Sequence, residues 1–168
     1  IDLWGVVHNG IELYENSINV LDNLAAANKD FILLTNAPRP NETVINFLKK
    51  MGLKKYFENV FTSGEAAHKY LISHLGKKNF FHIGPPRDFD LFKDFKKMKS
   101  DSIKDSEYIL CTGLFDDYDQ DLKYYKDLFQ KNLEKKMICT NPDLIVDRGN
   151  TREFCAGSVA MVYEKMGG

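Results

Sequence analysis

No apolar run in this sequence approaches the roughly 18 residues that cross a bilayer, so no membrane span is expected, and no secretory signal stands at its start. Neither sign of charge is in excess. The 23 basic and 24 acidic residues leave a formal net charge of −1, which gives no electrostatic reason to bind nucleic acid or an anionic membrane. Cysteine is scarce: Cys111, Cys139 and Cys155 are odd in number, far apart and without CxxC or CxxxH spacing, so zinc is unsupported. They read as buried free thiols in a reducing cytoplasm. The four histidines show no metal spacing. Gly84-Pro85-Pro86-Arg87 lacks the glycine pattern of a dinucleotide site. Asp117, Asp119 and Asp121 imitate the start of a calcium loop, but Leu122 and Leu128 stand where it needs glycine and glutamate.

What is present is a chain of 168 residues, 43% hydrophobic and 28% charged, the balance of a soluble globular protein. That length suits one ordinary domain or two small ones. Residues 1–4 read as the end of a buried strand, and Asn9-Gly10 between Val7 and Ile11 as a hairpin turn. Ser17 is placed to cap a helix in which Ile18, Leu21, Leu24 and Ala25 share a face. Residues 31–34 form a second buried strand, and Pro38 and Pro40 punctuate the loop after it. Asn41 can cap the next helix, striped by Val44, Ile45, Leu48 and Met51, with Gly52 just past its end. Val60-Phe61 is a third short strand, and Thr62-Ser63-Gly64-Glu65 fits a capping box that opens a helix to about Leu75.

The alternation then restarts. Strands are predicted at 80–83, 108–111 and 137–139, helices from Asp88 and Asp121 and over 156–166, and a charged, solvated helix end and loop over 93–104. The pattern predicts an α/β fold with parallel sheets and right-handed crossovers. It also predicts two units, residues 1–63 and residues 64–168.

Two strand ends carry chemistry. Asp2-Leu3-Trp4-Gly5-Val6-Val7-His8-Asn9-Gly10 and Phe31-Ile32-Leu33-Leu34-Thr35-Asn36 deliver a carboxylate and a hydroxyl to one edge of a sheet, where open α/β sheets bind ligands. A carboxylate there can attack phosphorus and form an aspartyl-phosphate; it can also simply cap the next turn. Trp4, the single tryptophan, fits core packing and substrate stacking alike. His8, in the loop beside Asp2, could contact substrate, act as a substitute acid, or be a polar hairpin residue. Arg39 could grip an anion bidentately or be solvated. Asn141 and Asp143 either face this edge from the second unit or form an ordinary Asn-Pro-Asp turn.

The segment Asp2-Leu3-Trp4-Gly5-Val6 resembles the first motif, Asp-x-Asp-Gly-(Thr/Val), of the haloacid dehalogenase (HAD) superfamily. Leu34-Thr35-Asn36 resembles its second motif. Thr140-Asn141-Pro142-Asp143, followed by Cys155-Ala156-Gly157-Ser158, looks like the end of the large cap of subfamily IIA, the NagD-like and p-nitrophenyl phosphatase-like group. The resemblance implies an incomplete HAD-like Rossmannoid core with an inserted α/β cap. It implies phosphatase activity on a small phosphorylated metabolite, a sugar or nucleotide phosphate, in the cytoplasm, and it admits a homo-oligomer. Asp2 would be nucleophile and Mg²⁺ ligand, and the Trp4 backbone carbonyl a second ligand. Thr35 and Asn36 would hold the phosphoryl group, with His8, Arg39, Asn141 and Asp143 around the substrate. Trp4 departs from the pattern, because the family's second Asp is the general acid–base and an indole is neither. A binder of phosphorylated ligands without efficient turnover is therefore the alternative. In the resemblance a lysine and an acidic pair follow the cap; the sequence stops at Gly168, where they should begin, and with Ile1 in place of methionine the chain is expected to be a fragment.

Overall fold

The structure, a computed structural model, describes residues 1–148 and 151–168. It is α/β, with every strand pair in its two helix-flanked sheets parallel. In the first unit, β1 (Leu33–Thr35) pairs with β2 (Val60–Thr62), and Thr35 is in register with Thr62. The strand expected over residues 1–4 contracts to isolated parallel bridges, Asp2 to Leu34 and Trp4 to His8. The reason lies in the backbone, which turns back at once: the N–H groups of Val6, Val7 and His8 all converge on the Leu3 carbonyl. After the turn, His8 bridges Leu13 in the antiparallel sense.

Two caps differ from expectation. Helix α1 (Glu15–Ala26) starts before Ser17, whose hydroxyl donates to the Val6 carbonyl at 2.6 Å instead. Helix α2 (Asn41–Lys50) has Pro40 at its N-cap, and the Asn41 Oδ1 accepts from the Thr62 N–H at 2.9 Å, tying α2 to the end of β2. Helix α3 (Ser63–Leu75) is capped by Thr62, whose Oγ1 accepts from the Glu65 N–H at 2.9 Å. The Glu65 carboxylate does not close the box; it accepts from the Asn41 N–H at 3.2 Å.

One hydrophobic cluster joins Leu3, Leu21, Leu33, Val44, Leu48 and Val60, so α1 and α2 share the Leu33 side of the strand pair. The opposite side is open. Ile32 and Leu34 are 58% and 54% exposed, although the apolar run 31–34 reads as buried throughout.

The second sheet has strand order β4 (Lys99–Ser100), β3 (Phe80–Ile83), β5 (Tyr108–Cys111) and β6 (Lys136–Cys139). Strand β5 is buried on both faces, as a continuous apolar run in a parallel sheet requires. Its Tyr108 and Leu110 pack with Leu71, Phe80, Leu91, Phe92 and Phe95. Its Ile109 and Cys111 pack with Tyr125, Phe129, Val159 and Tyr163 from α4 (Leu122–Phe129) and α5 (Ala156–Lys165). Three features were not expected. Lys99 and Ser100, inside the stretch read as solvated loop, form the edge strand β4. Pro86–Met98, read as a helix from Asp88, makes 3₁₀ turns broken at Phe92 and Phe95. An antiparallel ribbon, β7 (Ile145–Arg148) with β8 (Thr151–Phe154), precedes α5. Among the described residues no helix is long and apolar enough to cross a membrane.

Candidate active site

The carboxyl ends of the two parallel sheets face one another across a cleft of about 1270 Å³. This is where α/β sheets bind ligands, because loops at the strand ends are freed from pairing. Asp2, Trp4, His8, Thr35, Asn36, Arg39, Asn141 and Asp143 all line it. The first six come from the strand ends of the first unit. Asn141 and Asp143 come from the loop after β6.

Asp2 is exposed, and its Oδ1 accepts from the Leu3 N–H at 2.8 Å, which fixes the carboxylate at the head of the turn. Thr35, at the end of β1, is buried, and its Oγ1 accepts from the Ala37 N–H at 3.2 Å. Gly64 lets the following loop close tightly on α3: its N–H donates to the Ala37 carbonyl at 3.0 Å. A Cβ there would lie 2.3 Å from the Arg39 backbone.

His8 is not an exposed hairpin side chain. It is 4% exposed, edge-on to Trp4 at 5.3 Å and to Phe47 at 5.8 Å between ring centroids. Its Nδ1 accepts from the Gly10 N–H at 3.0 Å, so the neutral ring carries its proton on Nε2. Burial lowers its pKa, partly opposed by the Asp2 charge. Trp4 reaches across the cleft: its Nε1–H donates to the Asp147 carbonyl in β7 at 3.3 Å. Gly10, at φ +89°, makes room for the indole, since a Cβ there would meet the ring at 2.5 Å.

Asn36, Asn141 and Asp143 are brought together, and they bond to one another. The Asn36 amide donates to Asn141 Oδ1 at 2.9 Å and to the Asp143 carboxylate. The Arg39 side chain is about a third exposed. Its Nε donates to Asp88 at 2.9 Å. Both sets join the loop after β1 to the second unit, as does the Ser63 hydroxyl, 2.7 Å from the Thr140 carbonyl.

Asp88 escaped the sequence reading. It is 3% exposed, and burial raises its pKa against the pull of Arg39 and of a hydrogen bond from Thr112. The available signal was its place: it follows the apolar run 80–83 as Asn36 and Arg39 follow 31–34. Thr112 also meets His82 Nε2 at 2.8 Å. Burial, aided by the Lys99 charge, pushes the His82 pKa from 6.5 down to about 3. An unfolded chain protonates this ring where the folded one does not. Its contribution is complete above pH 6.5 and is lost as pH falls from there toward 3. In urea titrations between pH 7.5 and 5, the slope from this one proton should approach about 1.4 kcal/mol per pH unit. His82→Gln should flatten the profile by that amount; an unchanged slope would assign the acid sensitivity elsewhere.

Among the described residues no three or more His, Cys, Asp or Glu side chains form a metal cluster. The Asp2 carboxylate, the backbone of its turn and the Thr35 hydroxyl are among the oxygen donors that line the cleft.

The description "haloacid dehalogenase-like hydrolase" fits residues 1–96. A haloacid dehalogenase-like hydrolase from Brucella suis is 33% identical and superposes with a TM-score of 0.86, over 99% of this chain and 64% of that one. A possible sugar phosphatase of the same superfamily from Cytophaga hutchinsonii is 21% identical, with a TM-score of 0.75 over 98% of this chain and 62% of its own. A p-nitrophenyl phosphatase from Archaeoglobus fulgidus is 16% identical, with a TM-score of 0.73 over 99% and 64%. The chain thus spans less than two thirds of the length of each. No curated protein sequence matches it significantly.

Proposed function

The chain belongs to the haloacid dehalogenase-like hydrolases, and on that premise we propose that it carries the nucleophile and substrate cleft of a phosphatase acting on a small phosphorylated metabolite, such as a sugar or nucleotide phosphate. The observation that carries this reading is the exposed Asp2 carboxylate beside Thr35 on the floor of a cleft between two sheets. In the proposed reaction, Asp2 attacks phosphorus, the P–O bond to the substrate alcohol breaks, and water then releases inorganic phosphate from the aspartyl-phosphate. Thr35 and backbone N–H groups near it would hold phosphoryl oxygens.

Residues 1–63 would supply part of the core, and residues 64–168 a cap that excludes water from the cleft. Mg²⁺ fits the donor type here. The Asp2 carboxylate and the Trp4 carbonyl are hard oxygens, and Mg²⁺ takes one or two such ligands, filling its sphere with water and phosphate oxygens. When bound, it would neutralise charge on the transferred phosphoryl group. Nothing in the balanced charge of the chain favours a nucleic-acid or membrane partner.

A second reading, binding without turnover, is favoured by Trp4. In the proposed reaction the leaving alcohol would need a proton at this position, and the Trp4 N–H goes to the Asp147 carbonyl. The two readings separate cleanly. The full-length protein, mixed with p-nitrophenyl phosphate and Mg²⁺ and quenched in acid, should yield a phosphoryl group on the Asp2 peptide. Without a general base the second step is slow as well, which favours accumulation of that species. Tight binding of a phosphate ester with neither product nor phospho-Asp2 would leave the binding reading.

A further inference from the structure

Cys111 and Cys139 end β5 and β6 and are register partners on neighbouring parallel strands, so their side chains leave the same face of the sheet at the same level. Parallel neighbours lie about 4.8 Å apart, within the roughly 4.4–6.8 Å between Cα atoms that a disulfide bridges. Linking them therefore needs side-chain rotation and no strand movement. Both are free thiols. Cys111 is fully buried, while Cys139 is only half-buried.

We propose that Cys111 and Cys139 form a dithiol modification site, converted reversibly to a disulfide by hydroperoxides. The Cys139 thiolate attacks the peroxide O–O bond, giving a sulfenic acid and water. The Cys111 sulfur then attacks the sulfenic sulfur, the S–O bond breaks, and a second water leaves. Two thiols and one hydrogen peroxide become one disulfide and two waters. Cys139 is the attacking partner on two grounds: it is the less buried one, and its thiolate is favoured by a hydrogen bond from the Cys111 thiol, which holds its pKa near 7. The same hydrogen bond, with burial, pushes the Cys111 thiol up and keeps it protonated.

The site is wired to the cleft. Cys139 Sγ lies 3.2 Å from the Asn141 carbonyl and Cys111 Sγ 3.7 Å from the Gly113 carbonyl. A disulfide carries no S–H and can donate to neither loop. One of them carries the Asn141 side chain that Asn36 holds from the opposite wall.

The experiment needs no assay of catalysis. Full-length protein is treated with hydrogen peroxide, alkylated with iodoacetamide, digested without reductant and mapped by mass spectrometry. The expected result is a Cys111–Cys139 linked peptide, two hydrogens lighter than the sum of its parts, that disappears on adding dithiothreitol. Cys139→Ser, a change at the less buried position, should abolish the linked peptide and leave Cys111 open to alkylation once the protein is denatured. Equal alkylation of both cysteines with and without peroxide would overturn the proposal. So would a link from either one to Cys155, or direct passage of Cys139 to a sulfinic acid.

Discussion

Asp2→Asn in the full-length protein is expected to end turnover of p-nitrophenyl phosphate, a loss of at least about 10⁴-fold, the scale on which removing a catalytic nucleophile acts. The amide is a poor nucleophile toward phosphorus, and no other carboxylate lies in the same turn. The fold should survive. Asp2 is exposed, and its one side-chain hydrogen bond, from the Leu3 N–H to Oδ1, is kept by the asparagine oxygen. Thermal unfolding of the variant should therefore match the wild type, while acid-quenched mapping finds no phosphoryl group on the peptide. Wild-type-like activity would remove Asp2 from the mechanism.

The strands that build this cleft were the legible part of the sequence. Tyr108–Cys111 is a continuous apolar run and Phe80–Ile83 one broken only by His82, because helices cover both faces, and such runs stand out against charged surroundings. The Thr62 cap was legible because its chemistry is local: one hydroxyl and one N–H three residues on. Ser17 and Asn41 have the same chemistry, but tertiary partners claim them, the Val6 carbonyl and the Thr62 N–H. A cap residue with two suitors cannot be assigned from its neighbours in sequence alone.

Pro86–Met98 misleads for a different reason. Phe89, Phe92 and Phe95 recur every three residues, which is the 3₁₀ period and close enough to the α period to be read as a helix, and the aromatic packing around Phe80 and His82 accompanies the tighter turns. The β7–β8 ribbon alternates Asp147 against Arg152 on its exposed side, and a polar, two-stranded element carries little hydrophobic signal.

Residue types named the cleft well because strand ends are where polar residues interrupt apolar runs. What they could not give is which groups spend their hydrogen bonds on each other. Arg39 read as an anion grip, yet it pairs with a buried Asp88 from a loop 49 residues away. Asn36, Asn141 and Asp143 read as ligand contacts, yet they bond together across the cleft. These are long-range pairings, set by how the two units meet.

Trp4→Asp should raise hydrolysis of alkyl phosphates by up to about 10²–10⁴-fold, the usual worth of a general acid–base, and raise hydrolysis of p-nitrophenyl phosphate far less. The difference follows from the leaving groups: an alkoxide must be protonated as the P–O bond breaks, and nitrophenolate need not be. The gain is limited by surroundings made for an indole. Trp4 packs edge-on against His8, fills the space that Gly10 leaves, and donates to the Asp147 carbonyl. A carboxylate in its place has no prepared hydrogen-bond donors, and an unsupported catalytic group loses part of its effect. Trp4→Ala is the necessary control, since it opens the same space and breaks the same cross-cleft bond without adding an acid. If Trp4→Ala and Trp4→Asp change the alkyl-to-aryl ratio equally, the indole limits the protein by occupying the cleft. If only Trp4→Asp shifts the ratio, the missing proton donor is the limit. A ratio unmoved by both, in folded protein assayed with Mg²⁺, would show that position 4 does not govern the rate.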